Sequence, residues 1–290
     1  MAFRTIIFKN RCKLEYSMNY LVCRKNDCET RILIDEIKAI IMDSLQVSIT
    51  TYLIYELLKR NVKIIFIDNK HNPIGEVLPY QYNSYSYRHI KEQIAFDDCS
   101  KNYLWKLIIK EKILNQSKIL LKLNKTESYN KLQDYYEEVD DNDVSNREGH
   151  AAKVYFNSIF GLEFSRDKDC DINKYLNYGY SIILSAINRE IVSHGYLPEI
   201  GIHHIGESNP FNLGCDLMEP MRQIIDSIVL FENLDSDNYS LKLVSSLQKT
   251  VKYNEKDILL ENAIHLYVED IFSYLNTGDI DKIKFIKYEI

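Results

Sequence analysis

Glycine and proline are scarce in this chain, 9 and 5 among 290 residues. That scarcity excludes a low-complexity or Gly/Pro-rich disordered polypeptide. No apolar run approaches the ~18 residues that a membrane-spanning helix needs. Residues 1–10 hold neither a long apolar stretch nor a small-residue cleavage site, so no signal peptide is expected. The six cysteines, Cys12, Cys23, Cys28, Cys99, Cys170 and Cys215, follow no regular spacing. Cys23 and Cys28 would supply half of a metal knuckle, but no second Cys or His pair completes it. Free thiols in a reducing cytosol are the expectation. No period of 20–50 residues repeats, which excludes a solenoid.

What is present is ample core material: 46% of the residues are hydrophobic. The length allows one large or two modest domains. The formal net charge of -6 argues mildly against a nucleic-acid partner. Its distribution argues the other way. Residues 1–80 carry 12 basic and 9 acidic side chains, residues 81–131 carry 10 and 5, and residues 132–290 carry 14 and 28. The first 131 residues are therefore a basic surface open to a polyanion, followed by an acidic remainder in which carboxylates can serve a cation.

The order of patterns predicts an α+β protein. Short runs rich in Ile, Val and Tyr at 3–9, 13–22 and 30–41 read as strands. Residues 47–61 show helical spacing in Leu53, Ile54, Leu57 and Leu58, with Ser48 as the expected N-cap. A buried strand at 62–68 and a turn at 69–75 complete a small sheet with one helix, ending near residue 80. The polar, Tyr-rich stretch 81–90 reads as a linker, and 91–290 as an all-α domain. Its helices are expected at 103–124, 145–161, 172–193, 210–230, 236–249 and 255–275. On the first of these, Lys106, Lys110, Lys118 and Lys122, with Lys125 just beyond, fall within about 160° of the circumference. They read either as a solvated face or as a row of phosphate contacts. The acidic run 134–143 is assigned no chemistry.

Three segments combine metal-ligating side chains with unusual neighbours. NREGHAAK, residues 146–153, sets Glu148 early in a helix between Arg147 and Lys153. GIHHIG, residues 201–206, holds adjacent histidines in a Gly-flanked loop, and at most one of them can serve a given site. NPFNLGCDLMEPMR, residues 209–222, puts Asp216, Glu219 and Arg222 at successive three-residue steps, so on a helix they share a face. Pro220 breaks that helical pattern. Two carboxylates and an imidazole on separate elements can hold one divalent cation, with oxygen donors suiting Mg²⁺ and the added imidazole suiting Mn²⁺.

Taken together these segments resemble the CRISPR-associated integrase/endonuclease family, the universal first Cas protein of spacer acquisition. VSITTYLIYELLKRNVKIIFIDNKHNPIG looks like the end of that family's β domain. NREGHAAKVYF looks like its first catalytic segment, and GIHHIGESNPFNLGCDLMEPMR like its second. The DLMEPMR wording is most similar to the type II branch. The resemblance implies a β-sandwich-like N-terminal domain followed by an α-helical catalytic domain. It implies Glu148, His204 and Glu219 as catalytic metal ligands, choosing His204 over His203. It places Asp216 and Arg222 near the metal, and Asn146 stands in the same first segment as an auxiliary residue. It further implies Mg²⁺ or Mn²⁺, a homodimer, and a small second Cas protein in a heterohexameric complex with prespacer duplex and leader–repeat DNA. Some branches also work with the type II effector nuclease and a ring-shaped DNA-end-binding protein. The implied activity joins prespacer 3′-OH ends to the leader-proximal repeat, in a prokaryotic cytoplasm. A general metal-dependent DNA nuclease, or a non-catalytic DNA-binding scaffold, is the alternative.

Overall fold

The computed structural model describes residues 4–25, 28–67, 73–77, 79 and 86–289, and the chain forms two units, Met1–Tyr82 and Asn83–Ile290. In the first unit, β-branched and aromatic residues build strands β1 (Arg4–Phe8), β2 (Cys12–Ser17), β3 (Tyr20–Lys25), β4 (Cys28–Leu33), β5 (Ile37–Met42) and β6 (Val47–Ile49). Helix α1 (Thr51–Lys59) and strands β7 (Lys63–Ile67) and β8 (Pro73–Val77) follow. They pair as two four-stranded sheets, ordered β1-β5-β7-β8 and β4-β3-β2-β6. Leu14 and Leu21 of one sheet, Ile40 and Ile64 of the other, and Leu53 and Leu57 of α1 are fully buried in a common core.

Three local expectations are corrected. The run 30–41 is not one strand: it holds most of β4, a 3₁₀ turn at Ile34–Glu36 and most of β5, which belongs to the other sheet. Residues 13–22 are not one strand: Ser17 pairs with Tyr20 across a two-residue turn in which Met18 and Asn19 have φ 47° and 68°. Such a turn tolerates Asn, but Met-Asn lacks the glycine that normally signals it. Residues 47–49 are strand rather than helix, because β6 completes a parallel pairing with β2. The helix starts after Thr50, whose hydroxyl accepts from the Leu53 N–H at 3.3 Å, so Ser48 is not the cap.

The second unit contains α2 (Ser86–Ile94), α3 (Asp98–Lys122), α4 (Thr126–Glu138), α5 (Arg147–Phe160) and α6 (Asp171–Ser193). After these come α7 (Asn212–Met218), α8 (Arg222–Phe231), α9 (Tyr239–Val244) and α10 (Leu260–Thr277). Ser86–Ile94 is helical, so the second half of the stretch expected as linker belongs to α2; residues 81–85 lie outside the described residues. The unit is not wholly helical either. Strands β9 (Thr250–Tyr253) and β10 (Lys256–Leu259) form a hairpin whose turn residues, Asn254 and Glu255, both have positive φ. That hairpin displaces the start of the last helix from 255 to Leu260.

Helix α3 runs through the middle of this unit and buries polar as well as apolar positions, among them Trp105, Ile109, Lys112, Asn115 and Gln116. Three lysines of the arc have partners within the unit. Lys106 bonds Asp141 at 2.9 Å, Lys110 lies 4.4 Å from the centre of the Tyr136 ring, and Lys118 bonds Asn115 at 2.9 Å. Burial pulls the Lys118 ammonium pKa down. Lys122 and Lys125 are exposed.

Helices α5, α6 and α8 meet at a buried carboxyl group. Asp226, 2% exposed, accepts hydrogen bonds from the Tyr155 hydroxyl at 2.9 Å and from the Tyr180 hydroxyl. Burial pushes its pKa up to about 6, against the opposing effect of the two phenols. A carboxyl group raised in the folded state stabilises fully below its unfolded pKa, and that contribution is lost as the pH rises through the folded value. The Asp226→Asn variant should therefore gain stability relative to the parent between pH ~4 and ~7, by about 3 kcal/mol. Denaturant titrations of both proteins across that range test this, and a pH-independent difference would contradict it.

Candidate active site

Glu148 enters the site through an unusually well-capped helix start. Asn146 adopts a left-handed conformation, φ 52°, and its side-chain oxygen accepts from the Gly149 N–H at 3.2 Å. Asp143 accepts from the Arg147 and Glu148 N–H groups at 2.8 and 2.9 Å. With the first N–H groups of α5 satisfied by Asn146 and Asp143, the Glu148 carboxylate need not fold back to cap its own helix. Asn146 is exposed and acts on the backbone. Asp143 belongs to the acidic run that sequence inspection set aside.

His204 is placed by Asp216, which is fully buried. The Asp216 carboxylate accepts from the backbone N–H groups of Ile202 (2.7 Å), His203 (3.1 Å) and His204 (3.1 Å), and lies 2.5 Å from His204 Nδ1. A proton on Nδ1, facing that carboxylate, leaves Nε2 as the donor atom. The hydrogen bond to Asp216 raises the His204 pKa, against desolvation. Asp216 thus wraps and orients the loop that carries His204. His203 points elsewhere: its ring stacks on Trp105 at 4.1 Å and 6°, and Nδ1 is 2.8 Å from the Asn142 side-chain oxygen. Gln93 of α2 braces the loop root, donating to the Leu197 and Ile200 carbonyls at 2.9 Å each and accepting from the Leu197 N–H at 2.9 Å.

Glu219 begins a short 3₁₀ turn, Glu219–Met221, between α7 and α8. Pro220 stands in the first turn, where a missing N–H costs no helical bond, so the broken pattern is a junction between two helices. The Pro220 carbonyl accepts from Asn115 at 3.0 Å and from the Tyr288 hydroxyl at 2.8 Å. Arg222 grips Glu219 through two bonds of 2.8 Å each. Burial alone would raise the Glu219 pKa, but Arg222 and Lys112 hold it well below the usual carboxylate range.

Lys112 was not among the residues singled out from sequence. It lies roughly 240° around the helix from Lys106, off the lysine arc. Its ammonium is buried and sits 2.5 Å from both Glu148 and Glu219. The two carboxylates therefore already converge on one cation. His204, Arg222 and Gln223 line the same cleft, whose volume is about 280 Å³. Glu148, Glu219 and His204 come from three separate elements and line one space with oxygen and imidazole donors, though their donor atoms do not all lie within 4.8 Å of one another and both Glu219 oxygens are held by Arg222 and Lys112. This donor set fits a divalent cation with open coordination positions.

Two substitutions probe this arrangement. A Cβ at Gly201 would collide with the His204 carbonyl and approach Asp216 Oδ2 to 2.8 Å. Gly201→Ala should therefore displace the loop, costing roughly 2 kcal/mol of stability and activity along with it. Lys112→Met strands carboxylates beside a buried Arg222 and should cost roughly 3 kcal/mol in metal-free protein. Chemical denaturation measures both, and Lys112→Met unfolding at the wild-type midpoint would rule out a stabilising bridge.

Comparison with known proteins bears on the chemistry. The family model described as CRISPR associated protein Cas1 matches residues 5–234. A protein from Neisseria meningitidis serogroup C (strain 8013), named CRISPR-associated endonuclease Cas1, is 30% identical over 230 residues, covering 79% of this chain and 76% of that protein. Among solved structures, a casposase bound to integration product superposes with a TM-score of 0.76 at 20% identity, over 96% of this chain and 92% of its own. A chain of a Cas6-RT-Cas1–Cas2 complex gives 0.81 at 17% identity over 99% of this chain, which spans only 36% of that longer protein. At these identities the two structures speak for the fold, while the family match and the Neisseria relative speak for descent: this chain belongs to the Cas1 family.

Proposed function

We propose that the chain is a metal-dependent DNA endonuclease and integrase of CRISPR adaptation, joining prespacer 3′-OH ends to the leader-proximal repeat by transesterification. The observation that carries this is the convergence of Glu148, Glu219 and His204 on one cleft in a member of this family. The names of the relatives, CRISPR-associated endonucleases, support a nuclease, and the casposase with its integration product supports joining as the related reaction.

Glu148, Glu219 and His204 would hold Mg²⁺ or Mn²⁺, which when bound supplies activation of the attacking oxygen and neutralises charge at phosphorus. The remaining work falls to side chains of this chain. Arg222 keeps Glu219 ionised and in one orientation. Asp216 holds His204 with Nε2 available. Lys112 supplies the countercharge between the two carboxylates; with a cation held there its ammonium would be free to offset charge on a bound phosphate. In the joining step the prespacer 3′ hydroxyl gives up its proton to solvent as its oxygen bonds to phosphorus, while the bond from phosphorus to the displaced 3′ oxygen breaks and that oxygen takes up a proton from solvent. Water in place of the 3′ hydroxyl yields cleavage from the same residues.

The Cas1–Cas2 assembly named for one structural relative supports a small second Cas protein as partner, and the integration product bound to the casposase supports DNA as substrate; a homodimer acting on prespacer and leader–repeat DNA is part of the same proposal. No helix among the described residues is long and apolar enough to cross a membrane. Glu148→Gln and His204→Ala proteins should bind prespacer duplex normally yet lose at least a hundredfold in joining it to a supercoiled array plasmid with Mg²⁺ or Mn²⁺. Unimpaired joining by either variant would sink the assignment. Joining that depends on the second Cas protein separates the integrase from a general nuclease.

A further inference from the structure

A second group of ligating side chains lies at the end of α6, outside the cleft. Glu190 and His194 stand four residues apart on one helical face, and His265 reaches them from α10. One donor atom from each lies within 4.8 Å of the other two, and no other trio of His, Cys, Asp or Glu among the described residues meets that spacing. His265 Nδ1 is 2.8 Å from Glu190 Oε2, and the two imidazole centres are 5.2 Å apart.

The surroundings orient these donors. Arg189 bonds the other carboxylate oxygen, Glu190 Oε1, through Nε at 3.0 Å and Nη2 at 2.6 Å. Ser193 adds a bond to Oε2 at 3.4 Å. His194 Nδ1 lies 2.7 Å from the Glu190 carbonyl oxygen, so Nδ1 carries the proton and Nε2 is the donor atom. Outer hydrogen bonds of this kind fix the tautomer and direction of metal ligands. The Glu190 side chain is 9% exposed and that of His265 51%. One ligand is thus held rigidly, one can swing, and an ion has a way in.

We propose that Glu190, His194 and His265 form a transition-metal site, best matched to Zn²⁺, separate from the Glu148 cleft. Two imidazoles and a carboxylate are an established zinc donor set, with water as the fourth ligand, at ~2.0–2.2 Å. Rotation of the half-exposed His265 supplies the contraction needed. The ion links α6 to α10 next to Tyr196, whose ring stacks on Phe272 of α10 at 3.6 Å and whose hydroxyl accepts from Asn276 at 2.7 Å. Tyr196 opens the segment that leads to His204, so the site secures the root of the catalytic loop to α10.

The test is a titration with Zn²⁺ alone, by calorimetry, of full-length Glu148→Gln protein, in which the cleft is impaired. One saturable equivalent and a rise in Tm are expected. Adding His265→Asn or, separately, His194→Gln should weaken that binding at least tenfold and remove the Tm rise, while far-UV circular dichroism of the metal-free proteins stays the same. Co²⁺ should give visible absorption that the same two variants lose. Absence of saturable Zn²⁺ binding in the Glu148→Gln protein would overturn the site. So would binding of unchanged affinity in both histidine variants.

Discussion

Two ionised carboxylates packed against the same helix need a countercharge between them, and the helical unit is organised around that constraint. Glu148 arrives on α5 and Glu219 on the junction of α7 and α8, and the Lys112 ammonium on α3 lies 2.5 Å from each. Arg222 supplies a second positive charge to Glu219, giving two cations for two anions. Removing water from such a group costs several kcal/mol per ion, returned only where geometry and hydrogen bonding are good. This explains why the neighbouring backbone is so thoroughly fastened, with Asn115 and Tyr288 both bonded to the Pro220 carbonyl. A site that accommodates an ammonium by this route is also prepared for a divalent ion.

The three candidate ligands are positioned by three different local devices, each independent of the ion. Glu148 depends on a helix cap made by Asn146 and Asp143. Glu219 depends on a proline-containing 3₁₀ turn. His204 depends on a single buried carboxylate that gathers three consecutive backbone N–H groups and one imidazole nitrogen. Asp216 is thereby a positioning residue. Its proximity in sequence to Glu219 reflects the run of helical backbone from α7 into the 3₁₀ turn, the first carrying Asp216 and the second Glu219.

Much of the site's membership was legible because its residue types and spacing are dictated by chemistry. A histidine in a glycine-bounded loop and an acid beside a proline departed from local expectation, whereas an acid in a helix's first turn is the ordinary preference, and Glu148 was marked by the family resemblance. Lys112 was not legible: an isolated lysine in a long helix carries no pattern, and its significance arises only when α5 and the Glu219 turn pack against that face. The lysine arc on α3 shows the complementary limit. Periodicity reports which residues share a face but not whether another helix covers it, and α4 supplies Tyr136 over Lys110. The hairpin at 250–259 went unseen because Asn254-Glu255 lacks the glycine that marks a tight turn.

By itself, then, the amino-acid order determined the division into a strand-rich beginning and a helical remainder, since hydrophobic periodicity is a local property of the chain. It also determined which acids and which histidine carry the family likeness. Only the tertiary structure decided that Glu148 and Glu219 share a cation with Lys112, that Asp216 orients His204, and that Glu190, His194 and His265 converge. Those are meetings of residues far apart in sequence, and they exist because burial of the apolar faces of α3, α6 and α10 brings the intervening polar side chains together.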